Sequence, residues 1–239
     1  MFSLKLNSNQ LKLIAVFTMI SDHIGALISL LCSSPAAQAV SSILRVVGRI
    51  AFPIFVFLLA EGFFHTSNRK KYLMRIGVFA ILSEIPYDFL FTGTLFSWDT
   101  QNVFFTLFLS LCMMNLMEYC QQKFSKKASL IPQLFTVLFF CVLSYFMNTD
   151  YCIWGILTAA AFFLFHENRA YQCVFGFLPL FFDLARNGLF LPYTPGLFIG
   201  FLLLLFYNGK RGERKFGYFF YFFYPIHLLL LGLILKILY

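Results

Sequence analysis

Charge is scarce in this chain. Only 12% of its 239 residues are Asp, Glu, Lys or Arg, and just 10 are acidic. Soluble domains carry roughly twice that charged fraction, and a water-borne chain that is 60% hydrophobic would aggregate, so an aqueous globular fold is excluded. Gly/Ser-rich linkers, low-complexity tracts and the internal repeats of many secondary transporters are also missing, and residues 1–239 read as a single domain. The six cysteines (Cys32, Cys112, Cys120, Cys141, Cys152 and Cys173) include no C-x-x-C pair and fall mostly in apolar runs, where they read as small core residues. Four histidines without a His/Cys/Asp cluster at ligand spacing give no metal site. The first ten residues are too polar for the apolar core of a signal peptide. No small-residue cleavage site follows the first apolar run, which is expected to be retained.

What the chain has in quantity is apolar length. Phenylalanine occurs 35 times, spread through nearly every segment, and the mean hydropathy is +0.80. Because about twenty apolar residues cross a bilayer as a helix, cutting at charges, Pro and Gly predicts spans at 11–33, 43–66, 72–92, 102–120, 129–147, 151–166, 170–185, 189–207 and 217–238. The expected fold is an all-α, polytopic transmembrane helical bundle of about nine spans, or eight to ten if the short sixth and seventh are half-spans.

With the first span starting inside, one side of the membrane collects Lys5, Lys12, Arg69, Lys70, Lys71, Arg75, Lys123, Lys126, Lys127, Arg169, Lys210, Arg211, Arg214 and Lys215. The other keeps Arg45, Arg49, Arg186 and Lys236. That asymmetry predicts a cytoplasmic N-terminus in an inner membrane. It also accounts for the net charge of +8 without nucleic acid, since the basic residues form short clusters between apolar runs. The bilayer is the partner the composition implies, and oligomeric state is not legible.

Ionisable residues at membrane depth cost at least about 2.5 to 3.5 kcal/mol each, so every one needs a partner, a wet cavity or a task. In the first span Asp22 and His23 lie roughly 17 Å from the inner end, near the midplane. A carboxylate can hold an imidazole's tautomer for general-base work, although adjacent residues diverge by about 100° on a helix and Asp22 could meet an arginine elsewhere. Arg45 and Arg49 share one helix face beside Gly48, which permits close approach, and Pro53 should bend the second span. Snorkelling to headgroups is their structural alternative. Glu61 and His65 sit four apart just before Arg69, Lys70 and Lys71, where a salt-bridge network competes with ligand binding. Glu84 and Asp88 flank Pro86 on one face and should repel unless paired with something basic. Arg45 and Arg49 at the same level are the expected partners, so charge swaps between Arg49 and either acid should rescue. Gln101, Asn102, Asp183 and Arg186 join that outer level, and His227 lies mid-depth in the last span.

The motifs LKLIAVFTMISDHIG, LRVVGRIAFPIFVFLLAEGFFHTSNRKKYLMRIGVFAILSEIPYD and QNVFFTLFL resemble the TraX family, named for the conjugation protein that acetylates the N-terminus of pilin. The likeness is strong over residues 11–110, and DYCIWGIL and YPIHLL carry it further along. It extends to integral-membrane acyltransferases with a histidine in the first span. It implies acetyl transfer from cytoplasmic acetyl-CoA to an acceptor on the outer side, a peptide, sugar or lipid. His23 would then be general base or transient acyl carrier and Asp22 its orienter. Arg45 or Arg49, with Glu84, Asp88, Asn102, Glu61 and His65 in support, would orient the carbonyl or acceptor, and Arg69, Lys70 and Lys71 would meet the CoA phosphates. A transporter or flippase with a midplane polar site is the chief rival, and a non-catalytic scaffold the third.

Overall fold

The computed structural model describes residues 5–212 and 218–238, a span that leaves Arg214 and Lys215 outside the described residues. Within it every long regular element is an α-helix, as its hydropathy requires. The helices are α1 (Ser8–Leu31), α2 (Pro35–Gly48), α3 (Ala51–His65), α4 (Arg69–Phe91), α5 (Val103–Lys123), α6 (Leu130–Phe146), α7 (Cys152–Leu164), α8 (Arg169–Arg186), α9 (Phe190–Leu205) and α10 (Phe219–Leu238). Four apolar stretches are long enough to cross a membrane, Ser8–Leu31, Pro35–His65, Val103–Lys123 and Phe219–Leu238. The chain is therefore built as a membrane protein, with the shorter apolar helices Leu130–Phe146 and Cys152–Leu164 packed among them.

Side-chain caps start most of these elements. Asn7 and Gln10 form a reciprocal capping box on α1, and Asn68, Asn102 and Asn168 each accept a backbone N–H at the first turns of α4, α5 and α8. The second stretch starts eight residues earlier than its hydropathy predicts, because Ser34 caps and Pro35 occupies the first helical position. It then breaks at Arg49–Ile50 into α2 and α3. The cause is Pro53, which has no N–H for the Arg49 carbonyl and whose ring collides with it. The chain tightens there, with the Ile50 N–H donating to the Val47 carbonyl at 3.2 Å.

Phe57, Phe63, Phe162, Met113, Met114 and Met117 fill the interior, whereas Leu134, Phe135, Leu138, Phe139 and Phe146 on α6 are exposed, an outward surface that only lipid suits. α1 packs closely on α2 and against α10, and α10 lies along α4. Small residues set these distances. A Cβ at Gly48 would stand 2.3 Å from the Cβ of Asp22, and one at Gly196 only 1.8 Å from the Val46 carbonyl oxygen. Backbone cannot yield as a side chain can, so Gly196→Ala is expected to cost at least about 2 kcal/mol by prising α9 from α2. Gly77→Ala, which meets only the Phe108 ring at 3.0 Å, should cost well under half of that, and thermal unfolding in detergent compares the two.

Two clasps close the bundle's ends. At one, Leu6 pairs with the segment after α9, its N–H donating to the Phe206 carbonyl and its own carbonyl accepting from Asn208, both at 2.9 Å. At the other, Gln101 pairs with the α6–α7 connection through Asn148 and Asp150, also at 2.9 Å. That connection is strained, since Asn148, Tyr151 and Cys152 all adopt positive φ.

Candidate functional site

His23 on α1 and His227 on α10, 204 positions apart in the chain, meet at mid-bundle, with His23 Nδ1 2.7 Å from His227 Nε2. The rings are nearly parallel, their centroids 4.9 Å apart. Phe91 on α4 presents its edge to His23, and Tyr224 stands 6.3 Å from His23 and 5.5 Å from His227. His227 is buried, and its other ring nitrogen, Nδ1, lies 2.9 Å from the Phe223 carbonyl.

Asp22 does not orient His23. Its side chain leaves α1 toward α2, where Oδ1 accepts from Arg49 Nη2 at 3.2 Å and lies 3.9 Å from Arg45 Nε. This is the arginine partner that the divergence of adjacent helical positions left open. Both guanidinium groups keep a buried Nε without a hydrogen-bond partner among the described residues, and Arg49 also stacks over Tyr193 at 5.4 Å. Asp150, in the α6–α7 connection, faces the same guanidinium. Burial pushes its carboxyl up to about 6, while Arg49 pulls the other way.

The expected bridge from Arg45 and Arg49 to Glu84 and Asp88 is replaced by local bonds. Glu84 Oε2 accepts from the Asn102 backbone N–H at 3.2 Å and from its side-chain amide, and Asp88 Oδ2 accepts from the Ser97 N–H at 2.7 Å. Asn102 is thus the cap that ties α5 to α4, its amide also donating to the Ala80 carbonyl at 2.8 Å. The arginines are taken up by Asp22 because α2, which carries Arg45, packs on α1 far more closely than on α4.

Beneath the histidines runs a cavity of about 480 Å³ between α1, α3, α4, α5 and α10. Along α1 it extends from Ser8 and Lys12 to Met19, roughly 16 Å at 1.5 Å per residue, and stops one turn short of His23. Lys12, Arg75 and Arg211 line its mouth, at the end of the bundle where α1 and α4 begin, together with Glu61 and His65. Its body is apolar, with Phe55, Leu58, Ile76 and Leu107, and Tyr224 and Phe104 form the deep end. Tyr224, edge-on to Phe104 at 5.1 Å, belongs to both the cavity and the histidine cluster.

The residues expected to meet CoA phosphates lie elsewhere. Arg69 makes a two-pronged ion pair with Glu118 and covers the Phe63 ring at 4.2 Å, and Lys70 and Lys71 point outward from the first turn of α4. None of the three lines the cavity, because the inward face of α4 there is Tyr72, Arg75 and Ile76. Glu61 pairs with Arg169 at 3.6 Å rather than with the basic turn, and His65 sits over the Glu61 carbonyl at 2.8 Å.

A family model described as TraX protein matches residues 7–235. The chain belongs to the TraX family. Membership reaches well past the 11–110 block in which its motifs are densest, and takes in α10 with His227. The probable fimbrial assembly protein FimC, serogroup H1, of Dichelobacter nodosus is 31% identical over 243 residues, covering 93% of each chain. No solved structure matches.

Within this TraX-family chain, the sequence alone places His227 at mid-depth without giving it a role, and does not single out Tyr224, Lys12 and Arg211 as site residues. The usable signal for His227 is its depth, since it lies eight residues into α10, a helix that shares the cavity wall with α1.

Proposed function

We propose that this protein is a membrane-embedded acetyltransferase. It takes the acetyl group from acetyl-CoA at the basic end of the cavity and delivers it to an acceptor on the opposite side of the membrane. The observation that carries this reading is the cavity itself, an apolar shaft with Lys12, Arg75 and Arg211 at its mouth and a histidine pair one helical turn beyond Met19 and next to Tyr224 at its far end. Phosphates suit the mouth, an extended thioester arm suits the shaft, and a proton acceptor is wanted where the arm ends.

In this reading the basic mouth faces the cytoplasm, the N-terminus lies inside, nine spans cross the inner membrane, and α10 ends on the outer side, as the distribution of Lys and Arg predicts. His23 takes the proton from the attacking amine or hydroxyl as its lone pair adds to the thioester carbonyl. The carbon–sulfur bond then breaks, and the departing thiolate recovers the proton from His23. Arg45 and Arg49, held by Asp22, offer buried N–H groups to the negative charge that develops on the carbonyl oxygen. A fimbrial or pilin subunit is the acceptor we favour, because the Dichelobacter nodosus relative is a probable fimbrial assembly protein, and the conjugation protein for which the family is named acetylates pilin.

The test is turnover in proteoliposomes supplied with acetyl-CoA and a peptide amine, read by mass spectrometry of the acceptor. Lys12→Gln combined with Arg211→Gln should raise KM for acetyl-CoA by about 10 to 100-fold with kcat nearly unchanged, the loss expected for charge-assisted phosphate contacts. Lys70→Gln with Lys71→Gln should leave both constants alone. Uptake of a substrate without any acyl donor, and no acetylated product, would instead favour a transporter.

A further inference from the structure

We propose that His227 is a positioning residue that locks His23 into the tautomer a general base requires, a role that rests on the acyl-transfer reading. A carbonyl oxygen can only accept, so His227 Nδ1, 2.9 Å from the Phe223 carbonyl, must carry a proton. The Nε2 of neutral His227 is then bare and can only accept. It faces His23 Nδ1 at 2.7 Å, which must therefore be the N–H. Neutral His23 is left with its lone pair on Nε2 alone. A directed chain thus runs from His23 through His227 to a main-chain oxygen, and one backbone carbonyl of α10 decides which nitrogen of a ring on α1 is basic.

The geometry also holds the pair rigid. Phe223 stacks on His227 with centroids 5.1 Å apart, and His227 is buried, which leaves its ring little room to turn. Asp22 cannot stand in, because its carboxylate is engaged by Arg45 and Arg49. Nor does His227 take a proton during the reaction. As His23 gains one at Nε2, the Nδ1–H bond to His227 persists and strengthens, since its donor has become cationic. The proton then goes to the departing thiolate, and His227 ends in the state in which it began.

The expected consequences separate positioning from mere packing. In nitrogen-15 spectra of histidine-labelled protein in lipid bilayers, His23 should appear as the Nδ1–H tautomer. His227→Leu, which removes the acceptor, should release it toward the Nε2–H form favoured by free imidazole, while His227→Gln, whose amide oxygen can accept, should retain Nδ1–H. In turnover, His227→Leu should lower kcat by about 100-fold with KM for acetyl-CoA little changed, and His227→Gln should recover roughly tenfold of that loss. An Nε2–H tautomer at His23 in the unmodified protein overturns the proposal, and that spectrum decides the matter even if His227→Leu does not fold. A tautomer indifferent to His227→Leu, or a glutamine variant no better than leucine, overturns it as well. The tautomer is read without turnover, so the predicted spectra in a protein that transfers nothing would sink acyl transfer alone and leave the histidine coupling standing.

Discussion

His23→Ala is expected to lower acyl transfer by a factor on the order of 10³ while the protein remains folded in the membrane. Removing a positioned general base costs 10² to 10⁴ in rate, and the other imidazole at this depth, His227, is buried with its Nδ1 held at the Phe223 carbonyl, so its ring does not move into the vacated place. The structural cost should be small. His23 is only half-buried, and the Asp22 cluster next to it faces α2, so its contacts with Arg45 and Arg49 survive the loss of the ring. What disappears is an edge contact with Phe91 and the partner of His227. Expression, detergent extraction and the unfolding midpoint should therefore match the parent, and binding of acetyl-CoA, assigned in the proposed reading to the end of the cavity lined by Lys12, Arg75 and Arg211, should change little. Turnover retained in His23→Ala would remove the histidine from the chemistry, and with it the mechanism.

Depth along each helix is what a membrane sequence conveys well. The cost of polar groups in lipid sets where helices start and stop, so eight predicted spans fall within about three residues of α1 and α4 to α10, and 43–66 takes in α3 with the end of α2. Ser34 and Pro35 are a readable start signal for α2 that the hydropathy window overrides. Azimuth is not legible. Asp22 and His23 share a level with Arg49, Glu84 and His227, but which pairs touch depends on which helices are neighbours and how each is rotated. Here that is settled by contacts such as Gly48 against Asp22 and Gly232 against Phe89, between segments far apart in the chain. Level alone consequently matches the acids of α4 to the wrong partners, and gives His23 an adjacent carboxylate in place of a histidine from the last helix. The basic turn of Arg69, Lys70 and Lys71 misleads in a different way. Positive-inside bias puts Lys and Arg at that end of the bundle for reasons of insertion, and only the cavity singles out Lys12, Arg75 and Arg211 from the rest.

Asp22→Asn is expected to be the most destabilising substitution at the site, by about 2 kcal/mol, because it removes the carboxylate that both guanidinium groups share and leaves Arg49 to the Asp150 carboxyl that it faces. A fully buried pair broken in this way loses about 3 to 5 kcal/mol. The lower figure reflects side chains that keep 22% exposure at Asp22 and 16% at Arg49. Asparagine preserves the shape that fits against Gly48, so the loss reports charge and not a clash. Pairing is then isolated by a double-mutant cycle. Arg49→Leu should cost markedly less in the Asp22→Asn background than alone, giving a coupling of at least about 1 kcal/mol, whereas Arg49→Leu with Glu84→Gln should be additive within about 0.5 kcal/mol. The two cycles discriminate the observed network from the one that level alone would suggest, since Glu84 is already held by Asn102 on the α4 side. Coupling between Arg49 and Glu84 with none to Asp22 would mean that α2 packs against α4 in the membrane. The arginines would then lie away from His23, and they could not stabilise a carbonyl oxygen poised next to its ring.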